Sequence, residues 1–165
     1  MRFEKVSFDE FCRALNVTEP EFKELMRPSY DAIKLPKRST DGSAGYDFVL
    51  PITVDAIADS YYTVPTGIRF IVEDNDPDVF LMCVPRSGLG FKNGFRLINT
   101  AGIIDRDYWR SDNQGHIMCK FSVENSIFLE AGKAFMQGII VPYLTVENDK
   151  PKEIKRNGGF GSTDR

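Results

Sequence analysis

The spacing of apolar residues predicts helices in the first thirty residues and strands after them. Phe8, Phe11 and Leu15 recur at helical spacing. Ser7 and Glu10 fit a capping box, in which the serine hydroxyl and the glutamate carboxylate each satisfy a free backbone N–H group. The pattern therefore predicts a first helix that begins just after Ser7.

A second start signal lies at residues 18–21, where Thr-Glu-Pro-Glu precedes Phe22 and Leu25. Pro28 is expected to end this helix, because proline removes a helical hydrogen bond. Residues 1–30 are thus predicted to form a short helical extension that packs on the main domain as a hairpin. The alternative is an appendage that binds a partner.

From about residue 34 onward, runs rich in Val, Ile and Phe are separated by Gly, Pro, Asn or Asp, which is typical of strands. No strand–helix–strand rhythm is present, which disfavours a doubly wound α/β fold. We expect an all-β domain of the β-barrel or jelly-roll type over residues 31–155, followed by a Gly-rich tail over residues 156–165. The clearest predicted strands cover residues 68–72, 79–84, 117–123 and 139–146.

Length and charge narrow the choice of partners. The 165 residues suffice for one domain. The net charge of −3 argues against a broad surface for duplex nucleic acid, so an anionic ligand must be held locally. No apolar run approaches the roughly 20 residues that span a bilayer, and the N-terminal residues do not resemble a signal peptide. We expect a cytoplasmic protein that binds neither nucleic acid nor membrane.

Cysteine and histidine usage limits the chemistry. Cys12, Cys83 and Cys119 are far apart and none belongs to a C-x-x-C pair, which disfavours a disulfide framework and a zinc site. His116 is the single histidine, so neither a Ser-His-Asp triad nor a multi-histidine metal site is expected. Any hydrolysis must use carboxylates, a bound metal and backbone donors.

Two glycine-bearing segments could bind an anion or simply connect strands. Residues 42–47 (Gly-Ser-Ala-Gly-Tyr-Asp) resemble an ordinary turn. Residues 85–90 (Pro-Arg-Ser-Gly-Leu-Gly) follow an apolar strand, and the N–H groups of such a turn can form a concave anion site. Arg86 would add a permanent charge and Ser87 a hydroxyl. The Walker spacing is absent, and the alternative is a turn with a surface arginine.

Two further segments carry residues that packing does not explain. Asp105 follows Ile103 and Ile104, and a carboxylate held at the end of a strand can activate water; the alternative is a hairpin-turn aspartate. In the tail, Phe160 lies among glycines with hydroxyl residues behind it, which suits a lid over a ring and phosphates. The alternative is a disordered terminus.

In this order, these segments resemble the motif series of the trimeric dUTP pyrophosphatases. The resemblance runs from about residue 34 to residue 163, nearly the whole chain beyond the helical part. One such motif is weak support, but four well-matched motifs in the right order are strong. The segments that correspond to the five motifs are Pro36 with residues 42–47, then residues 85–90, 99–108, 132–137 (a weakened fourth motif) and 156–163.

The resemblance implies a role for each residue. Asp105 would deprotonate the water that attacks the α-phosphorus, Tyr108 would lie under the deoxyribose, and Phe160 would close over the uracil. Arg86, Ser87 and Gly88 would hold the phosphates, while Asn99 and the backbone near Ile103, Ile104 and Met118 would line the uracil slot. The remaining substrate-binding residues would be Gln137, Arg156, Gly161, Ser162 and Thr163.

The resemblance also implies the reaction and its partners. It predicts hydrolysis of dUTP to dUMP and pyrophosphate with Mg²⁺, an ion that the triphosphate and waters would hold without a direct protein ligand. It predicts a homotrimer with shared active sites, in a bacterial or phage-infected cell. The alternatives are a nucleotide-gated regulatory module that contacts a protein partner and a dCTP deaminase, although the third motif here differs from that of the deaminases.

Three departures from the family pattern stand out. Six residues, 109–114, intervene between Tyr108 and Gly115, which suggests an inserted loop beside the sugar pocket. The usual arginine of the fourth motif is replaced by Ala134, so the bracing of the second motif is in question, with Lys133 as a geometrically poorer substitute. The tail ends in Ser-Thr-Asp-Arg rather than in glycine.

Overall fold

The computed structural model describes residues 1–150, and this part of the chain is mainly strands. Its helices are α1 (Phe8–Ala14), α2 (Pro20–Asp31), α3 (Ser87–Asn93) and the 3₁₀ turn η1 (Tyr108–Arg110). Its strands are β1 (Arg2–Lys5), β2 (Lys37–Arg38), β3 (Gly45–Val49), β4 (Val54–Ala56), β5 (Tyr61–Pro65), β6 (Ile68–Ile71), β7 (Val79–Pro85), β8 (Arg96–Leu97), β9 (Gly102–Ile104), β10 (Met118–Ser122), β11 (Ile127–Leu129) and β12 (Ala134–Pro142). The expectation of an all-β domain with a short helical N-terminal segment is confirmed.

All strand pairs of the described residues are antiparallel. The largest sheet has the order β2-β3-β12-β7-β9, with β12 paired to both β3 and β7. Smaller sheets are formed by β5-β10-β8, β1-β6 and β4-β11. None of the helices in residues 1–150 is long and apolar enough to cross a membrane.

The core lies between these sheets, where alternate strand residues turn inward. In β7, Leu81 and Cys83 are buried while the intervening residues are only partly covered. In β10, Phe121 is fully buried and stacks on Phe95 with ring centroids 4.4 Å apart. Burial of one such aromatic side chain contributes about 1.5–3 kcal/mol, so the aromatic residues hold the sheets together.

The N-terminal segment contains a strand that the helical pattern did not predict. Arg2–Lys5 forms β1, which pairs with β6 in the register Phe3 to Phe70 and Glu4 to Arg69. Three of its four residues are charged, which hides the strand in the sequence. The charges are satisfied across the sheet, since Arg69 donates to the Glu4 carboxylate at 2.6 Å.

Pro28 does not end helix α2, which runs on to Asp31. A proline inside a helix removes one hydrogen bond, but the turn after it is held in other ways. The carbonyl of Pro28 accepts from the N–H of Ala32 at 3.1 Å, and the hydroxyl of Tyr30 donates to the carbonyl of Val6 at 2.6 Å. These contacts stabilise the last turn after the proline.

The last predicted strand is displaced along the chain. The prediction placed it at residues 139–146, whereas β12 covers Ala134–Pro142. Phe135 and Met136 are buried and open the strand, and Leu144 beyond its end is 98% exposed. The prediction was wrong because it begins the strand at the apolar run from Ile139, whereas Phe135 and Met136 of the fourth motif already belong to it.

Candidate active site

A pocket of about 220 Å³ lies where β9, the start of β10 and the end of β8 meet. Three residues predicted to form the uracil slot, Asn99, Ile104 and Met118, line it. Ile103 does not, because its side chain is 53% exposed on the other face of β9. The structure therefore brings three of these four residues together.

Gly102 keeps this pocket open at its centre. It pairs with Cys83 across β7 and β9. A Cβ atom at Gly102 would lie 3.2 Å from the Cβ of Cys83 and 3.9 Å from Nδ2 of Asn99. A larger residue would therefore press on the wall of the pocket and on the amide of Asn99.

Two thiols line the same pocket, a feature that sequence reasoning missed. Cys83 and Cys119 are buried side by side on β7 and β10. Burial raises the pKa of Cys83 to about 12 and raises the pKa of Cys119 as well. Both thiols are uncharged at neutral pH and act as apolar surface.

Asp105 lies at the end of β9, directly after the pocket residue Ile104. It is half-buried, and its carbonyl accepts a hydrogen bond from the N–H of Tyr108 at 3.1 Å. The predicted position at a strand end is therefore confirmed. The short turn that follows holds Asp105 and Tyr108 on the same segment.

The residue after Asp105 anchors this segment. One nitrogen of the Arg106 guanidinium donates to three carbonyls of residues 73–76, at 2.8, 2.9 and 3.0 Å, and the other pairs with the carboxylate of Asp78. Charge-assisted hydrogen bonds of this kind are the stronger ones. The sequence offered only a weak indication of this role of Arg106, namely an acidic loop at residues 73–78 that requires a cation.

The second motif begins a helix rather than an irregular turn. Ser87 opens α3, with Arg86 as the N-cap residue, and Gly94 ends it with a left-handed φ of 62°. The guanidinium of Arg86 has Nε 3.4 Å from the carboxylate of Asp47. Arg86, Ser87 and Gly88 are exposed to solvent.

Strand β12 contacts the second motif although Ala134 stands where the resemblance implied an arginine. The N–H of Arg86 donates to the carbonyl of Phe135 at 3.2 Å, and Nε2 of Gln137 donates to the carbonyl of Pro85 at 3.3 Å. Lys133 is not the substitute: it is 71% exposed and pairs with a nearby glutamate at 3.9 Å. The brace is therefore Gln137 and the backbone.

Tyr108 is buried beneath the inserted segment. Its hydroxyl donates to the carbonyl of His116 at 3.1 Å and accepts from Nδ2 of Asn113 at 2.8 Å. The insert is not a free loop, since the indole N–H of Trp109 donates to the carbonyl of Val72 at 3.0 Å. Asn113 and the carbonyl of His116 thus hold the hydroxyl of Tyr108 from the segment that follows it.

The described chain separates the predicted phosphate residues from the predicted base residues. Within residues 1–150, the lining of the pocket includes none of Arg86, Ser87, Gly88, Asp105, Tyr108 and Gln137. The predicted tail residues Arg156, Phe160, Gly161, Ser162 and Thr163 lie outside the described residues. Within residues 1–150, the side chains predicted to bind the phosphates are therefore not part of the lining of this pocket.

One feature that bears on metal binding is the distribution of acidic, histidine and cysteine side chains. Residues 1–150 contain no group of three His, Cys, Asp or Glu side chains that could hold a metal ion. Mg²⁺ commonly keeps several waters and binds through substrate phosphates with one or two carboxylates.

Comparisons with known proteins agree with this geometry. The family model described as dUTPase matches residues 31–164. The deoxyuridine 5'-triphosphate nucleotidohydrolase of Lactococcus lactis subsp. lactis (strain IL1403) is 36% identical over 135 residues, covering 79% of this chain and 88% of that protein. The crystal structure of dUTPase from Streptococcus mutans is 27% identical with a TM-score of 0.65, covering 89% of this chain and 99% of that one.

A more distant structure shows the same fold. A mutant dUTPase from phage phi11 of S. aureus is 18% identical with a TM-score of 0.58, covering 73% of this chain and 90% of that one. That protein is described as coordinating a structural Mg(II) ion. Because the family model matches most of the sequence and a curated relative exceeds one third identity, this chain belongs to the dUTPase family.

Proposed function

We propose that this protein hydrolyses dUTP to dUMP and pyrophosphate. The observation that carries the proposal is the pocket formed by Asn99, Ile104 and Met118, with Asp105 directly beyond Ile104. A slot for a base and a carboxylate at its edge are the two parts that this reaction needs. The name of the Lactococcus relative supports the same substrate.

The pocket suits a pyrimidine base. Its walls are mainly apolar, and the amide of Asn99 adds a donor and an acceptor. A site that pairs with the edge of uracil leaves buried groups unpaired when cytosine enters, so rejection of cytosine can be strong. Tyr108 would lie under the deoxyribose and exclude a 2′-hydroxyl.

Asp105 is the proposed general base. It would take a proton from a water whose oxygen forms a bond to the α-phosphorus, while the bond from that phosphorus to the bridging oxygen breaks and pyrophosphate leaves. The single histidine does not compete for this role: His116 is fully buried and its Nε2 accepts from the N–H of Gly67 at 2.8 Å.

The phosphates would be held by Arg86, Ser87 and Gly88 of a neighbouring subunit in a homotrimer. The separation of these residues from the pocket within one chain supports this arrangement. The tail at residues 156–165 would close the site as a lid, with Phe160 over the base. Mg²⁺, when bound to the triphosphate, would neutralise part of its charge.

The proposal also covers the division of the chain into segments and the place where the protein acts. Residues 1–30 would form an extension of the enzyme domain of residues 31–155, and the protein would act in the cytoplasm. Light scattering would measure the mass of the assembly. A monomer would contradict the shared site but not the reaction.

The test is pyrophosphate release from dUTP, dCTP, dTTP and UTP, each with and without Mg²⁺. We expect metal-dependent turnover of dUTP that exceeds turnover of the other three nucleotides. Saturable binding of dUTP without turnover would instead support a regulatory module. Ammonia release from dCTP would support the deaminase.

A further inference from the structure

A buried polar pair joins helix α1 to the segment that follows Tyr108. Glu10 is 5% exposed and His116 is fully buried, and Oε1 of Glu10 lies 3.2 Å from Nδ1 of His116. The same carboxylate accepts from the guanidinium of Arg13 at both oxygens, at 2.8 Å on Oε2 and 2.9 Å on Oε1. The paired residues are 106 positions apart, so the pair is a tertiary tie.

A hydrogen bond from the backbone determines which ring nitrogen of His116 carries the proton. The N–H of Gly67 donates to Nε2 at 2.8 Å, so this nitrogen carries the lone pair and the ring proton is on Nδ1. That proton is donated to the carboxylate of Glu10. Burial lowers the pKa of His116, and the neutral ring, engaged at both nitrogens, holds its neighbours in place.

A second tie lies at the surface beside the first. The N–H of Ser7 donates to Oε1 of Gln114 at 2.9 Å, and Nε2 of Gln114 donates to the hydroxyl of Ser7 at 2.8 Å. The hydroxyl of Ser7 also accepts from the N–H of Glu10 at 3.2 Å, as the capping box predicted. The predicted bond from the Ser7 N–H to the Glu10 carboxylate is wrong, because this N–H donates to Gln114 instead and the Glu10 carboxylate faces His116.

The tied segment continues into the pocket. Ile117 and Met118 follow His116 and line the pocket. The carbonyl of His116 accepts from the hydroxyl of Tyr108 at 3.1 Å. The N–H of Ile117 donates to the carbonyl of Ile68 at 2.9 Å. The position of His116 therefore sets the position of one wall.

We propose that Glu10 is a positioning residue for the nucleotide pocket and acts through His116 on the wall formed by Ile117 and Met118. The inference rests on the proposed function for the identity of the nucleotide. Without the carboxylate, the Nδ1–H of His116 is left unpaired in a buried site, which favours rotation of the ring. Rotation breaks the bond from Gly67 and moves the backbone that leads into the pocket.

The test compares three variants of helix α1. Glu10→Ala is expected to raise KM for dUTP about 10-fold, with a smaller change in kcat, because a small misplacement of a positioning group is costly. Glu10→Gln keeps an acceptor for the Nδ1 proton and is expected to restore most of the affinity. Asp9→Ala is the matched control, since Asp9 is an exposed residue of the same turn that pairs with Lys23 at 2.8 Å, and it should leave KM unchanged.

The binding of dUMP, measured by calorimetry, gives a second readout that does not depend on turnover. A wild-type KM and wild-type dUMP affinity in Glu10→Ala, together with a lower Tm, would overturn the inference and leave α1 a purely stabilising element. If Glu10→Ala does not fold, Glu10→Asp is measured instead, because its shorter side chain draws the carboxylate away from Nδ1 of His116. We then expect a smaller rise in KM, and an unchanged KM would overturn the inference.

Failure of the proposed function is a different result. It would show as absent dUTP turnover in the wild-type protein, whereas failure of this inference shows only in the ratio of variant to wild type. A wild-type protein that binds no dUMP would overturn both.

Discussion

Gly115 and Gly132 form a natural pair for testing whether the backbone packs as described after Tyr108. Both have a left-handed φ, +72° and +81°. A Cβ atom on Gly115 would lie 2.3 Å from Cα and 2.9 Å from N of Trp109 and 3.0 Å from the carbonyl oxygen of Tyr108, all of them backbone atoms. A Cβ atom on Gly132 would meet nothing within 4 Å.

The two alanine variants should therefore differ in magnitude. Gly132→Ala incurs only the strain of a left-handed alanine, about 1 kcal/mol. Gly115→Ala incurs the same strain and also displaces the backbone of residues 108–109, which adds about 1–3 kcal/mol as overpacking does in a core. A loss of 1 kcal/mol lowers Tm by about 2–4 °C in a protein of this size. Gly115→Ala should therefore lower Tm about two to four times as much as Gly132→Ala does.

Thermal unfolding followed by circular dichroism measures both shifts. All proteins must be compared at one concentration, because Tm of the proposed homotrimer would depend on concentration. Equal losses in the two variants would refute the reasoning, since they would show that Gly115 is not in contact with Trp109. A large loss in Gly132→Ala alone would refute it as well.

The remaining predictions concern the reaction, the buried ring and the thiols. Asp105→Asn should bind dUTP but lose turnover by about 100-fold or more, and pyrophosphate release at a near-normal rate would exclude Asp105 as the base. Burial lowers the pKa of His116, so the native state favours the neutral ring; stability should be complete above the ordinary pKa of about 6.5 and fall as pH drops below it. Tm measured from pH 7.5 to 5.5 checks this, and His116→Gln should show a weaker dependence. With its pKa raised to about 12, Cys83 should resist a thiol reagent at pH 8 until guanidinium unfolds the protein, and rapid labelling of the native protein would contradict its burial.

The spacing of apolar residues within a segment predicted the strands and the helix whose form depends mainly on which of their faces is buried. The alternation of buried and partly covered residues in β7 and β10 reflects the two faces of a strand, and it lies in the sequence itself. The helical spacing of Phe8 and Phe11 likewise predicted α1. The resemblance to the family pointed to Asn99, Ile104 and Met118, which the structure brings into one pocket.

The elements that the sequence did not predict depend on contacts with residues that are distant in the sequence. Strand β1 is charged and is stabilised by Arg69 and the apolar face of β6, so its own residues do not indicate a strand. Arg106 gains its role from an acidic loop about thirty residues earlier. No periodicity of one segment can indicate such pairs, because the signal lies in the fold and not in either segment.

The Glu10–His116 pair shows why a buried polar contact of this kind is better explained by position than by stability. Burying a carboxylate costs several kcal/mol, and the attraction to its partners does little more than offset that cost, so an apolar pair of similar size can stabilise as well. An apolar pair, however, would accept several side-chain orientations. The hydrogen bonds at Nδ1 and Nε2, to Glu10 of helix α1 and from Gly67, can both form in only one orientation of the ring. Because His116 leads directly into the wall of the pocket, what the polar pair adds is a fixed place for that wall.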